Sequence, residues 1–302
     1  FLADDYVKFY EFRENVPNYA GGFNNGYNGL RIFRVKDEVV NHELHMDVTG
    51  SKLHPRITEA YLAKLRTVPH SGLRSLSFLT KLELPHTLEL GAEAVSLCKA
   101  LSQVNLPLVT RVGDKCFDDC ENLLSATLPH ATEIGMGAFA KCKMLFSLQL
   151  GSVPPKVLSG AFDECPSMRL LVPVDETGMP LKGNEREKAV KAYDDAPDGM
   201  IGDGLWYGWK LPKADVHTIT VDATISGGSV HAGQYGAEGQ AVQVVVRPDD
   251  GKGIMELYYT EKGSTEKHVI MNNEFSMPKA DITIHAVFAA STIKVKGNGA
   301  KE

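Results

Sequence analysis

Along the middle of the chain, apolar and polar positions alternate in short bursts and then cluster. In residues 124–129 the inward positions Ala126 and Leu128 alternate with outward Ser125 and Thr127, the period of a short strand. Pro129 ends that strand by removing a backbone donor. Gly135, just after the apolar Ile134, lets the backbone change direction, and Ala138, Phe139, Cys142 and Leu145 follow at i, i+1, i+4 and i+7. This spacing predicts one or two turns of helix presenting Phe139 and Cys142 to the interior that the strand faces. The predicted unit is strand, turn, short helix.

The unit recurs. Leu82-Glu83-Leu84-Pro85, Val104-Asn105-Leu106-Pro107 and Ala126-Thr127-Leu128-Pro129 follow one another at intervals of 22 residues, with Leu148-Gln149-Leu150 in the matching place further on. Gly91, Gly113 and Gly135 keep the same interval, as do Ala94-Val95, Cys116-Phe117 and Ala138-Phe139, with Ala161-Phe162 one residue later. Cys98, Cys120, Cys142 and Cys165 stand three residues after these pairs. One such coil cannot bury its apolar face alone, so neighbours stack at about 4.8 Å and each periodic residue lies over its homologue. The cysteines then form an interior column of small hydrophobes. A tetrahedral metal site needs four ligands converging on one point, whereas a ladder sets its sulfurs in line. Cys116 stands in a slot that other coils fill with alanine. Five cysteines cannot all pair within one chain, and a disulfide between adjacent rungs is left open.

Leu-Pro at the strand end and G-x-x-A-F-x-x-C-x-x-L in the turn, in phase over about residues 70–173, resemble the BspA-like leucine-rich repeats of bacterial cell-surface proteins. In "SGLRSLSFLTKLELP", Leu73 and Leu76 take the Phe and Cys slots of a degenerate first coil. "LLVPVDETG", "AVKAYDDAPDG" and "GLWYGWKLP" resemble the closure of such solenoids, stretched by an insertion around residues 184–188. The resemblance implies that residues 170–212 form the terminal cap.

After Pro212 the pattern changes to period two: Ile219 and Val221, then Val242, Val244 and Val246, then Ile282, Ile284, Ala286 and Phe288. Turn signals at Gly227-Gly228, Asp249-Asp250-Gly251 and Asn272-Asn273 separate these strands. "GGSV", "GAEGQAVQVVVRPDDG" and "FSMPKADITIHAVF" resemble the divergent internalin-type B-repeat of bacterial surface proteins, which implies a stalk or spacer. Upstream, "PRITEAYLAKLR" predicts a helix with Pro55 at its first position and Ile57, Tyr61 and Leu65 on one face. "YAGGFNNGYNGLRIF" reads as loop or hairpin.

The predicted fold class is therefore mixed α/β: a leucine-rich repeat solenoid of short strand, turn and short helix per coil, followed by a small all-β antiparallel domain. The boundaries are 1–66 for an N-terminal segment read as a cap, 67–212 for the repeats with their C-terminal cap, 213–289 for the β-rich module and 290–302 for a polar tail.

Composition and charge exclude more than they assert. Hydrophobic content of 43% and charged content of 23% are ordinary for a folded domain, and no stretch approaches the roughly 20 apolar residues of a membrane helix. The net charge of −6 with scattered Lys and Arg disfavours a nucleic-acid partner, which needs clustered cations. The chain starts at Phe1, so a leader or lipid anchor upstream is compatible with it. His42 and His45 in "NHELH" are three apart and miss the H-E-x-x-H spacing of a zinc helix. His86 and His130 follow strand-ending prolines two coils apart, about 10 Å from each other, too far to share a metal. The acidic pair Asp118 and Asp119 reads as the solvated face of a turn. No nucleophile elbow, P-loop or dinucleotide fingerprint is present, so no catalysis, cofactor or metal is expected.

The expected role is binding. The resemblances imply a non-enzymatic protein, cell-surface or secreted, that adheres to host or microbial surface proteins or glycans. Its candidate contacts are the outward strand positions Lys81, Glu83, Gln103, Asn105, Ser125, Thr127, Ser147 and Gln149. The alternative is a glycan-binding accessory protein working through Trp206 and Trp209, since exposed indole faces stack on sugars. Against that stands the need of an open solenoid end for an apolar plug.

Overall fold

The computed structural model describes residues 32–35, 57–62, 65–196, 200–201 and 205–290. They fall into two compact units divided between Asp215 and Val216, three residues beyond the expected boundary.

The first unit is a parallel β-solenoid. After β1 (Ile32–Val35), successive coils contribute pairs of strands: β2 (Glu59–Leu62) with β3 (Thr67–Val68), β4 (Lys81–Glu83) with β5 (Glu89–Leu90), β6 (Gln103–Asn105) with β7 (Arg111–Val112), β8 (Ser125–Leu128) with β9 (Glu133–Ile134), and β10 (Ser147–Leu150) with β11 (Lys156–Val157). β12 (Leu170–Pro173) closes the series. The even-numbered strands stack in parallel as one sheet and the short odd-numbered strands β3 to β11 as another. Register follows the repeat, Ser147 lying beside Ser125 and Leu148 beside Ala126.

The short helix expected in each coil is not there. Residues at two places in every coil have positive φ: Ser71, Glu93, Lys115, Gly137 and Gly160, and four residues later Ser75, Leu97, Asp119, Lys141 and Glu164. A left-handed residue breaks an α-helix, and the N–H groups at these points bond to the next coil instead: Leu97 to Asp118 O at 2.9 Å, Asp119 to Ala140 O at 2.9 Å, Lys141 to Asp163 O at 2.8 Å. Tight i to i+3 turns bridge between them. The coil corner is thus a third ladder of hydrogen bonds, and its inward residues have a spacing that resembles a helix. Among the described residues, α1 (Gly183–Asp194) is the one α-helix.

The glycine column has a different reason from the one its sequence position suggested. Gly91, Gly113 and Gly135 are absent from the positive-φ residues, and their role is close approach. A Cβ on Gly113 would lie 2.5 Å from the Gly91 carbonyl carbon, and one on Gly135 2.6 Å from that of Gly113. Only hydrogen fits between coils at that point.

Inside, homologous side chains stack. Phe117 lies on Phe139 with ring centroids 5.0 Å apart, and Phe139 on Phe162 at 5.8 Å. Leu73 and Leu76 occupy the corresponding slots of the first coil and are buried, as the repeat required. The cysteine column is buried and reduced. Its sulfurs also have partners: Cys98 donates to Leu73 O, Cys120 to Val95 O and Cys142 to Phe117 O, each at 3.2 Å, and Cys165 to Phe139 O at 3.0 Å. The thiol therefore fills apolar space and serves a carbonyl of the preceding coil at once.

Two upstream expectations change. Residues 59–62 form a strand, not a helix, because Ala60 and Leu62 alternate inward and extend the columns above Leu82 and Leu84. Ile32 and Phe33, read as part of a loop or hairpin, belong to β1, parallel to β2. The rest of "YAGGFNNGYNGLRIF", residue 31 and earlier, lies outside the described residues, as does the pair His42 and His45.

At the other end, α1 begins within the presumed insertion, so residues 184–188 are its first turns. β13 (Met200–Ile201), β14 (Leu205–Trp206) and β15 (Trp209–Lys210) follow, and β15 continues the first sheet beside β12.

The second unit consists of β16 (Val216–Val221), β17 (Gly228–Ala232), β18 (Tyr235–Ala237), β19 (Ala241–Pro248), β20 (Lys252–Glu261), β21 (His268–Val269), β22 (Glu274–Ser276) and β23 (Ile282–Ala290). They form a five-stranded sheet in the order β18-β16-β23-β20-β21 and a three-stranded sheet β17-β19-β22. Ile219, Val242, Val244, Leu257, Phe275, Ile282 and Ile284 are buried in it. The module is all β as expected but not wholly antiparallel, since β16 and β23 run parallel. The longest strand, β20, escaped the pattern because Leu257 is its one buried position.

Candidate binding surface

The outward strand positions divide into two groups. Lys81, Glu83 and Asn105 are exposed and Gln103 is half-buried, on adjacent strands β4 and β6 where Glu83 pairs with Asn105. Lys81 Nζ lies 2.9 Å from Glu83 and 4.9 Å from the centroid of the Tyr61 ring, and Glu83 first, then Tyr61, raises the lysine's pKa. This is a polar surface on a rigid scaffold.

Ser125, Thr127, Ser147 and Gln149 are not outward in the sense the alternation implied: all four are buried. They bond along the surface, Thr127 Oγ1 donating to Gln149 Oε1 and Gln149 Nε2 to Ser147 Oγ, both at 3.0 Å, while Ser125 Oγ is buried without a partner. The chain after β12 doubles back over β8 at Thr127. Asp175 Oδ1 accepts from the N–H and hydroxyl of Thr177 and from Met179 N–H, fixing a turn that holds its carboxyl below the usual range. That turn brings Gly178 so close to β8 that an added Cβ would lie 3.1 Å from Thr127 Cγ2. A strand's alternation tells which side a residue takes, not whether a later segment covers that side.

A groove of about 500 Å³ opens where the covering segment meets the strand ends, lined by Pro129, His130, Gly151, Leu181, Glu185 and Lys188 among others. His130 Nδ1 lies 2.7 Å from Pro107 O, which as an acceptor puts the imidazole proton on Nδ1. Tyr193 Oη donates to Gly151 O at 2.8 Å, and burial pushes this phenol's pKa far up. The one sequence signal of the groove is Gly151, standing where three coils carry proline.

The two indoles offer no face to a sugar. Trp206 is 1% exposed and Trp209 is fully buried. Trp209 meets the last phenylalanine of the stack edge-on at 5.6 Å, and Trp206 meets Tyr193 edge-on at 4.9 Å. They plug the end of the solenoid.

Charged side chains on the coil corners pair from rung to rung: Lys99 with Asp119 at 3.3 Å and Glu121 at 3.6 Å, Lys143 with Glu121 at 2.7 Å, Lys141 with Asp118 at 3.9 Å. Asp118 and Asp119 are therefore half-buried ion-pair members rather than a free acidic face. In the second unit His285 Nδ1 donates to Asp222 Oδ2 at 2.8 Å and its Nε2 lies 3.1 Å from Thr260 Oγ1, tying the end of β16 to β20 and β23. The Asp222 carboxyl is held down at about 2, first by the N–H and hydroxyl of Thr224 and then by His285. No group of three or more metal-ligating side chains occurs among the described residues.

Comparison with known families agrees with this architecture. Residues 65–174 match the family described as BspA type leucine rich repeat region, in 6 copies, and residues 217–292 match the divergent InlB B-repeat domain. No curated protein matches the chain.

Proposed function

We propose that this chain is a non-enzymatic binding protein of a bacterial surface or of the secreted fraction, whose solenoid engages host or microbial macromolecules. Both matched families point to a surface protein-binding role. Among the described residues no helix is long and apolar enough to cross a membrane.

The observation that carries the reading is the open polar surface of β4 and β6. Lys81, Glu83, Gln103 and Asn105 stand on strands locked by stacking, so a partner meets them with little ordering cost. The surface lacks a buried hot spot and therefore favours weak, multivalent attachment. Ser125, Thr127, Ser147 and Gln149 are buried and take no part.

Immobilised protein offered to an array of matrix proteins and glycans tests this. A saturable partner whose binding drops when Lys81→Glu and Asn105→Lys are introduced supports the surface. Binding unchanged by both substitutions, or no saturable partner at all, counts against it.

A further inference from the structure

The second unit holds a cluster of polar side chains that the binding reading leaves unused. Ile282 and Ile284 of β23 are buried, so the alternating Thr283 and His285 take the outer face of the five-stranded sheet. His285 stands directly across from Tyr258 of β20, and Thr260 follows two residues on along the same face. Asp222 comes straight after Val221, the partner of Ile284, and so reaches His285 from the end of β16. Asp222, His285 and Thr260 are half-buried and Thr220 beside them is exposed, so solvent reaches the cluster.

The proton positions follow from the partners. Thr224 holds Asp222 Oδ1 through its N–H at 2.9 Å and its hydroxyl at 2.7 Å, leaving Oδ2 to His285. An ionised carboxylate only accepts, so the imidazole proton sits on Nδ1. In the neutral ring Nε2 is then an acceptor, and Thr260 Oγ1, 3.1 Å away, donates to it. Tyr258 stacks on the imidazole with centroids 5.0 Å apart and holds the ring in that orientation. Carboxylate, imidazole and hydroxyl, each hydrogen-bonded to the next, make the relay that activates an alcohol as a nucleophile, and it is defined by geometry and roles, not by order in the chain.

We propose that Thr260 is an acyl-accepting nucleophile, His285 its general base and Asp222 the residue that positions the base. Thr260 Oγ1 attacks the carbonyl carbon of an ester while its proton passes to His285 Nε2. The tetrahedral intermediate collapses by breaking the bond to the leaving oxygen, which takes that proton from His285 and departs as the alcohol. The acyl group stays on Thr260 as a new ester. An open sheet face gives little grip on a poor leaving group, so the substrate class is activated esters, aryl esters above all. Thr260 is consumed in the step. The module thus joins covalently to an acyl donor without turning over, independently of what the solenoid binds.

The full chain incubated with p-nitrophenyl acetate tests this, with acetylated peptides located by mass spectrometry. Thr260 should acetylate about 100-fold faster than the chain's other threonines, the lower end of what a positioned base contributes, and urea should abolish the preference. Thr260→Ser should keep the reaction. His285→Gln, which can hydrogen-bond but is no base, should slow acetylation at Thr260 by about the same factor. Asp222→Asn should slow it and move its pH profile to lower pH, because the imidazolium loses its anion. An aspartate that only braces the fold leaves the profile in place, and that result overturns its positioning role. Thermal melts show whether the variants stay folded, and the unaltered chain decides without them: Thr260 acetylated no faster than the other threonines overturns the proposal. A fast reaction that folded His285→Gln leaves unchanged overturns it too.

Discussion

At the level of single residues, the solenoid interior behaves as a set of files. Phe139 sits between Phe117 and Phe162 and is fully buried. Phe139→Ala should therefore cost about 3–5 kcal/mol in chemical denaturation, the range for a buried aromatic replaced by alanine. The thiols make a second prediction. Burial raises the pKa of Cys98 to about 12 and those of Cys116, Cys120 and Cys142 well above the ordinary thiol value. An unfolded chain releases these protons from about pH 8.5 upward while the folded one keeps them, so the unfolded state binds fewer protons there and stability falls as pH rises. Each such thiol contributes a slope of about 1.4 kcal/mol per pH unit between its unfolded and folded pKa. Urea midpoints measured from pH 8 to 11 should drop steeply, and a variant with Cys98, Cys120 and Cys142 changed to serine should lose most of that slope. The column was legible in the sequence because stacking repeats it. The carbonyl that each sulfur serves was not, since it belongs to the preceding coil.

Elements tell where periodicity misleads. The positions 138, 139, 142 and 145 face inward in a helix and equally in a run of tight turns broken by left-handed residues. Lys141, at φ 58°, separates the two. In a helix Lys141→Gly would cost about 1 kcal/mol, but at this φ glycine relieves strain, and the expected result is a gain of about 0.5–1 kcal/mol in urea denaturation. The cap gives a test of the other kind. Trp206 and Trp209 are the chain's only tryptophans, so its indole fluorescence reports on the plug alone. Emission should be blue-shifted, resistant to iodide and unchanged by added polysaccharides; quenching by a polysaccharide would reopen the glycan reading. The need for a plug was readable from the open end of a repeat array, whereas the turn over Thr127 was not, because nothing in the alternation of β8 registers Gly178, far downstream in the chain.

Across the whole molecule, the two units have separate cores and should unfold separately. Tryptophan emission follows only the solenoid, and the methyl resonances of Ile219, Ile282 and Ile284 follow only the module. The two denaturation curves are expected to have different midpoints, and coincident curves would mean one cooperative unit. The sequence by itself determined the repeat, its register, the interior columns and the change of period after Pro212, because each is written locally and then multiplied by stacking or alternation. The tertiary structure alone decided how the coil corner is built and which outward residues stay open to a partner. Those depend on backbone hydrogen bonds between coils and on a returning segment, contacts between residues far apart in the chain that no local pattern encodes.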